Sequence, residues 1–172
     1  ADQIDGLPDS YYAKSEEPRD LGTVTDPELE AFFAKIGADI ITTQEPRAYY
    51  RHDTDQIHMP PISTFESTSK YFGTLGHEAI HWSGVEKRLG RNKRFKSKSE
   101  RAMEEMCAEI GAAILGVKLG IEPDFEQNAA YVESWLTVLK GDTSAIFKAA
   151  SEAQKAVDYI EGESTKHHQQ AA

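Results

Sequence analysis

The chain reads as an α+β domain, and three observations carry that reading. His77-Glu78-Ala79-Ile80-His81 has the form H-E-x-x-H within a stretch whose apolar residues recur at helical spacing. Residues 40–59 change texture to short β-prone pieces around turn signals, which predicts a small antiparallel sheet. Four other stretches carry apolar residues at helical spacing between cap and stop residues. The expected architecture is a small sheet packed on the motif-bearing helix, with further helices around it.

Residues 1–24 show no sustained period and contain Gly6, Pro8, Pro18 and Gly22, so they read as an arm or linker. Thr25-Asp26-Pro27-Glu28 is a helix start, followed by Leu29, Phe32, Phe33 and Ile36 and stopped by Gly37. Strands are expected at Ile40–Thr43, Ala48–Arg51 and Gln56–Met59. His52-Asp53-Thr54-Asp55 reads as a hairpin turn, and Pro60-Pro61 as the end of the ladder. Ser67-Thr68-Ser69 caps the motif helix, which carries Tyr71, Leu75, Ala79 and Trp82 and is expected to end at Gly84 in a left-handed turn. Ser97 with Glu100 forms a capping box opening a helix to Leu119, with Met103, Met106, Ile110, Ala113 and Val117 on its expected buried stripe and Gly120 as its stop. A fourth helix begins at Glu122 or Asp124 and passes Tyr131, Trp135, Leu136 and Leu139 to Gly141. Asp142 caps a fifth, with Ile146, Phe147, Ala150, Ala153, Val157 and Ile160 expected inside. Residues 25–162 thus form the domain, and 163–172 a polar, flexible tail.

At 172 residues the chain suits one domain able to bury a core without staples. It has no apolar run of roughly 18 residues, which excludes a membrane-spanning helix. Ala1-Asp2-Gln3-Ile4-Asp5 lacks the basic and apolar regions of a signal peptide, and the missing initiator Met suggests a processed chain or a domain of a longer one. The single cysteine, Cys107, excludes an internal disulfide, fits a reducing cytoplasm, and sits in an apolar pattern that predicts burial. A net charge of −10 opposes nonspecific nucleic-acid binding. Against that balance, Lys87, Arg88, Arg91, Lys93, Arg94, Lys96 and Lys98 form a local basic run. It reads first as a solvated loop and second as a contact surface for phosphate or an acidic partner, with Lys93 and Arg94 as the contact candidates.

The H-E-x-x-H spacing places His77 and His81 on one helix face, able to share a metal ion. Glu78, turned roughly 100° around the axis, can act on a metal-activated water without being a ligand. A catalytic zinc site needs a third protein ligand and an open position. One scheme adds H-x-x-G-x-x-H, but Lys87 stands where the third histidine would be, and a cation cannot ligate. The other scheme takes a carboxylate from the next helix. Glu105 and Glu109 share a face, so Glu105 is assigned as third ligand and Glu109 as the acceptor of an imidazole N–H, with Glu109 and Glu104 as alternative ligands. Such a site would hold one Zn2+, with Glu78 as general base for hydrolysis of a peptide bond. Tyr49, Tyr50, Tyr131 and His58 are possible donors to a developing oxyanion, Tyr49 and Tyr131 foremost. His52, His58, His167 and His168 show no ligand spacing.

Taken together, the chain from about Ala48 to Gly162 resembles the C-terminal metallopeptidase domain of ArdC-type antirestriction proteins and related polyvalent plasmid and phage proteins. The resemblance rests on Ala48-Tyr49-Tyr50, Asp55 to Pro61, Phe65, His77 to Trp82, Arg88-Leu89, Glu104 to Ala112, Ala129-Ala130-Tyr131, Trp135-Leu136 and Ala149 to Tyr159. It implies a zincin-like fold in which a glutamate-bearing helix lies behind the active helix, zinc held by His77, His81 and a glutamate of residues 104–109, and Glu78 as the catalytic residue. It also implies a cytoplasmic antirestriction role, an unidentified protein or peptide substrate, and single-stranded DNA binding by a separate N-terminal domain. A second reading is an interaction module in which zinc only stabilises the fold and protein or DNA contacts carry function.

Overall fold

The first helix begins where Asp26 can cap it. In the computed structural model, which describes residues 19–91, 97–122 and 132–169, the Asp26 carboxylate accepts from the amides of Glu28 (2.8 Å) and Leu29 (3.2 Å). Pro27 takes the first helical position, where its missing N–H costs nothing. α1 (Pro27–Lys35) buries Phe33, and Ile36 just beyond it is fully buried. Residues 19–24 form no regular element, yet they are tied along the domain. The Leu21 amide donates to the Ser63 carbonyl, the Thr23 hydroxyl to the Phe65 carbonyl, and the Thr68 hydroxyl to the Val24 carbonyl.

Three short strands follow: β1 (Asp39–Thr42), β2 (Tyr49–Arg51) and β3 (Gln56–Met59). β3 is central, in the order β1-β3-β2. β2 and β3 form the expected hairpin, with Tyr50 opposite Ile57. The expectation of a wholly antiparallel sheet is corrected by β1, which runs parallel to β3 and pairs Ile40 with Ile57. The connection explains this: residues 43–48 carry the chain past the future site of β3, so β2 forms at the far edge and β3 then fills the gap. Ile57 and Met59 enter the core, while His58 lies on the other face with its ring stacked on Tyr49, centroids 4.5 Å apart.

α2 (Thr68–Ser83) is capped by the Ser67 hydroxyl, which accepts from the Lys70 amide at 3.1 Å. Its buried face carries Phe72, Leu75, Ala79, Ile80 and Trp82. The helix ends at Gly84, but with φ −81° and ψ −10° rather than in the expected left-handed turn. The left-handed residue is Gly90, at φ 65°, where the chain needs a reversal that a Cβ would resist. That reversal returns the Leu89 amide to the Ser83 carbonyl (3.1 Å) and folds residues 85–91 back over the end of α2.

The expected capping box opens α3 (Lys98–Leu119), with the Glu100 amide donating to the Ser97 hydroxyl and the Ser97 amide to the Glu100 carboxylate. Its buried sector keeps Met106 of the expected stripe but is otherwise turned from it. Glu104, Ala108, Gly111 and Leu115 lie inside with Ala102, Met106 and Cys107, whereas Val117 is 69% exposed. The helix packs on both α2 and the helix of Ala145–Gln169, which widens the buried sector and turns the 104–108–111–115 line inward. Cys107 is buried as expected, and that burial pushes its thiol up to about 12.

The remaining helices are α4 (Val132–Gly141) and α5 (Ala145–Gln169). The expected start of the fourth helix near Asp124 lies outside the described residues. Asp142, expected to cap α5, instead forms a turn ahead of it: its carboxylate accepts from the Ser144 amide at 2.9 Å, and the Ser144 carbonyl accepts from the amides of Phe147 and Lys148 in the first turn. Two further expectations for α5 are corrected. Its buried face is an alanine stripe (Ala145, Ala149, Ala153, Ala156) with Val157 and Ile160, while Ile146 and Phe147 lie outside. Small side chains let this helix lie close against its neighbours, and the bulky pair falls off that line. The expected flexible tail is instead helical through Gln169, because one glycine at position 162 costs only about 1 kcal/mol and Ser164 is still buried. Among the described residues no helix is long and apolar enough to cross a membrane.

α2 and α3 approach each other closely at Gly111. A Cβ there would lie 2.8 Å from Ile80 Cδ1 and 2.9 Å from Cγ1, and Ile80 is fully buried. Gly111→Ala is expected to lose about 1–3 kcal/mol to overpacking, offset by roughly 0.5–1 kcal/mol of helix propensity. The urea midpoint should therefore fall. A midpoint at or above wild type would mean that the two helices separate without cost.

Candidate metal centre

Helical spacing and the close approach of α3 together build the site. His77 and His81, one turn apart on α2, face the glutamates of α3. Their Nε2 atoms lie 3.1 Å apart, and Glu105 Oε2 lies 3.6 Å from the first and 3.7 Å from the second. On the other side of each ring, His77 Nδ1 is 3.2 Å from Glu109 Oε1 and His81 Nδ1 is 3.0 Å from Glu104 Oε1. An ionised carboxylate only accepts, so each Nδ1 donates, and a neutral ring then turns the lone pair of Nε2 toward the other ring.

With both rings neutral, three lone-pair donors converge, and a proton or a cation must then lie among them. Four carboxylates surround the pair (Glu78, Glu104, Glu105 and Glu109), against which Arg91 sets one fixed positive charge. Burial alone would lower the His77 pKa. Hydrogen bonds to Glu105 and Glu109, with the charge of Glu78, instead raise it to about 10. His81 is raised in the same way, by Glu104 and Glu105 against burial. The histidines in turn hold the Glu105 carboxyl well below the usual range although burial would raise it. A divalent cation answers this field as well as protons do. Metal–ligand bonds of about 2.0–2.2 Å place the donors of a four-coordinate ion roughly 3.3–3.6 Å apart, close to the separations here. His77, His81 and Glu105 could therefore hold a metal.

Glu78, on the same helix, stands apart from these donors. It is only 8% exposed, and its Oε2 accepts from the Tyr50 backbone amide at 2.7 Å. β2 is an edge strand, so an N–H not needed by the ladder is available to the helix beside it. The strand is clamped there by the segment after α2. Arg88 donates to the Trp82 carbonyl (2.6 Å), to the Tyr50 hydroxyl (3.3 Å) and to both oxygens of Asp55, and its guanidinium lies 4.1 Å over the Trp82 ring. The Tyr50 hydroxyl donates to Asp55 at 2.6 Å, and Lys87 pairs with the same carboxylate at 2.7 Å.

The family described as zincin-like metallopeptidase (MPTase-PolyVal) matches residues 27–152. This chain belongs to that family. The curated relatives of this zincin-like domain include the DNA primase TraC of Escherichia coli, 40% identical over 161 residues that cover 93% of this chain and 15% of that protein. The uncharacterized protein y4eC of Sinorhizobium fredii (strain NBRC 101917 / NGR234) is 38% identical over 134 residues, 76% of this chain and 43% of that one. Among solved structures, the Mn(II)-bound antirestriction ArdC protein from the R388 plasmid aligns with a TM-score of 0.77 at 55% identity, covering 95% of this chain and 59% of that chain. Its metal-free structure aligns with the same score at 56% identity. The zincin-like domain therefore spans a small part of the TraC relative and about three-fifths of the solved ArdC chain.

The structure brings His77, His81, Glu78, Glu105 and Glu109 of the domain together. It also adds Glu104, expected only as an alternative ligand and found as the acceptor from His81. Its burial had a legible signal: residues 104, 108, 111 and 115 fall on one helical line of small or apolar neighbours. Tyr49, expected at the site, instead stacks on His58 and donates to Glu45, while the amide of its neighbour Tyr50 reaches Glu78. No side-chain pattern announces a backbone donor. His52, which shows no ligand spacing, edges the Tyr50 ring at 4.8 Å, and burial and the charge of His81 lower its pKa. Lys87, Arg88 and Arg91 of the basic run are engaged internally with Asp55 and Glu104. Tyr131, Lys93 and Arg94 lie outside the described residues.

Asp55 links the clamp to pH. Burial would raise its pKa, but hydrogen bonds from Arg88, Lys87 and Tyr50 outweigh that and hold it well below the usual carboxylate range. A depressed folded-state value gives stability that is present above the unfolded value of about 3.9 and is lost as pH falls toward the folded one. Asp55→Asn tests this with little backbone strain, since asparagine tolerates the left-handed φ of 58° at this position. Urea midpoints should be lower for the variant at pH 7, and the gap to wild type should close below about pH 4. A gap independent of pH would assign the role of Asp55 to shape alone.

Proposed function

We propose that this domain is a zinc-dependent peptidase, the catalytic module of a plasmid- or phage-borne antirestriction protein. The observation that carries the reading is the convergence of His77 Nε2, His81 Nε2 and Glu105 Oε2 beside a buried carboxylate, Glu78, that is not one of the converging donors. Two imidazole nitrogens and a carboxylate oxygen suit Zn2+ with one position left open. His77, His81 and Glu105 are the ligands in this reading, and Glu109 and Glu104 fix the ring orientations. The bound ion would supply a water of lowered pKa, about 7, and a polarised carbonyl.

Glu78 moves the proton. With Oε2 held by the Tyr50 amide, its carboxylate is fixed through one oxygen and leaves Oε1 without that bond. As water oxygen bonds to the scissile carbonyl carbon, its proton passes to Glu78. As the carbon–nitrogen bond breaks, Glu78 gives that proton to the leaving amine and returns to its starting state. The antirestriction role of the whole protein, its cytoplasmic site and DNA contact through a separate N-terminal domain belong to the same proposal. Support comes from the likeness to the ArdC protein from the R388 plasmid. The alternative interaction module is less well supported, because Lys87, Arg88 and Arg91 already serve internal pairs. That alternative therefore rests on the rest of the basic run, Lys93 and Arg94 foremost.

Metal analysis and a peptide-library digest test this reading. Wild type should carry one zinc per chain, His77→Ala should lose it, and Glu78→Gln should keep it while cleavage falls about 10²–10⁴-fold. Zinc-loaded wild type that cleaves nothing, joined to antirestriction activity that survives Glu78→Gln, would replace the peptidase with the interaction module.

A further inference from the structure

We propose that Arg91 is a positioning residue of the metal centre: it holds Glu104 as the hydrogen-bond acceptor of His81 and so keeps that carboxylate out of the ligand set. The inference rests on the metal-binding reading above and extends it to a residue that touches neither the ion's donors nor substrate.

Three glutamates of one α3 segment reach the two histidines, so something must decide which of them binds metal. Glu105 is the most exposed, 37% at its side chain, and its Oε2 faces both Nε2 atoms. Glu104 is nearly sealed, at 4%, and its oxygens are already engaged. Arg91 Nε donates to its Oε2 at 2.7 Å and Arg91 Nη2 to its Oε1 at 2.9 Å, while His81 Nδ1 donates to the same Oε1 at 3.0 Å. The planar fork of a guanidinium fixes a carboxylate in plane as well as in position, which an ammonium does not do. Arg91 is itself fixed from the helix it serves: its Nη2 donates to the Ile80 carbonyl at 2.7 Å, one residue before His81. One buried guanidinium therefore sets the distance between the His81 turn of α2 and the Glu104 turn of α3. Among the described residues no guanidinium holds Glu109 on the His77 side.

The backbone explains how Arg91 arrives. The left-handed Gly90 reverses the chain after α2, and Arg91, next in sequence, then points back over the helix. A residue expected in a solvated basic run ends with its side chain only 8% exposed. Removing such a group also destabilises the fold, because the partner charge stays buried. The test must therefore read the metal and not stability alone.

Co(II) titration of the full 172-residue chain, with chelator competition and visible absorption, gives that reading. Arg91→Met is expected to bind Co(II) about ten- to hundredfold more weakly, with a shifted ligand-field band. Arg91→Lys is expected to lose less, since its ammonium can reach one Glu104 oxygen but cannot span both. Ile160→Val, a destabilising change at a fully buried position of α5 that is none of the metal-facing residues, should keep wild-type affinity and spectrum. Arg91 variants that match wild type in affinity and band would overturn the proposal, and so would an equal loss in Ile160→Val. If Arg91→Met does not fold, Arg91→Lys decides on the same terms. Wild type that takes up no Co(II) would remove the metal-binding reading itself, a result distinct from variants that bind as wild type does.

Discussion

Three carboxylates of α3 meet two imidazoles of α2 across the gap between the helices, with Glu78 of α2 beside them, and the packing of the domain depends on that charge being answered. The gap is narrow because Gly111 lets Ile80 lie where a side chain would otherwise stand. Close packing places His77 and His81 within reach of Glu104, Glu105 and Glu109, and the same closeness leaves little solvent screening for Glu104 and Glu109, whose side chains are 4% and 14% exposed. A cluster of this kind is costly if any member lacks a partner. Arg91 answers one carboxylate, and a cation or protons between the Nε2 atoms answer the others.

The sheet contributes to the site less by its face than by its edge. β2 offers the Tyr50 amide to Glu78, and the hairpin that carries β2 is fastened to the end of α2 through Asp55 and Arg88. The segment after the helix therefore works in two places. Arg88 ties the strand edge that holds Glu78, and Arg91 ties the helix that bears Glu104. Both side chains also take carbonyls at the end of α2, those of Trp82 and Ile80, which a helix terminus leaves without intrahelical backbone partners.

Local signals were reliable wherever the deciding interaction spans three or four residues. The Asp26 cap, the Ser67 cap, the Ser97–Glu100 box and the pairing of His77 with His81 are all of this kind, and each stands at the position where its spacing put it. Readings that needed the partner of an element fared less well. The stripe of α3 was displaced toward Val117, and that of α5 toward Phe147, because a helix packed on two sides has no single apolar line to read. The direction of β1 depends on a crossing whose route no residue in it dictates. The basic run looked solvated because its acidic partners, Asp55 and Glu104, lie far along the chain.

By itself, then, the sequence determined the α+β class, the helix that bears His77, Glu78 and His81, and the glutamate-rich helix that completes the set. These follow from periods, caps and ligand chemistry that act over one or two turns. Only the tertiary structure decided which glutamate faces the Nε2 atoms, which two hold the Nδ1 atoms, and which backbone amide steadies Glu78. Those assignments rest on separations between elements distant in sequence, and side-chain pattern carries no record of such distances.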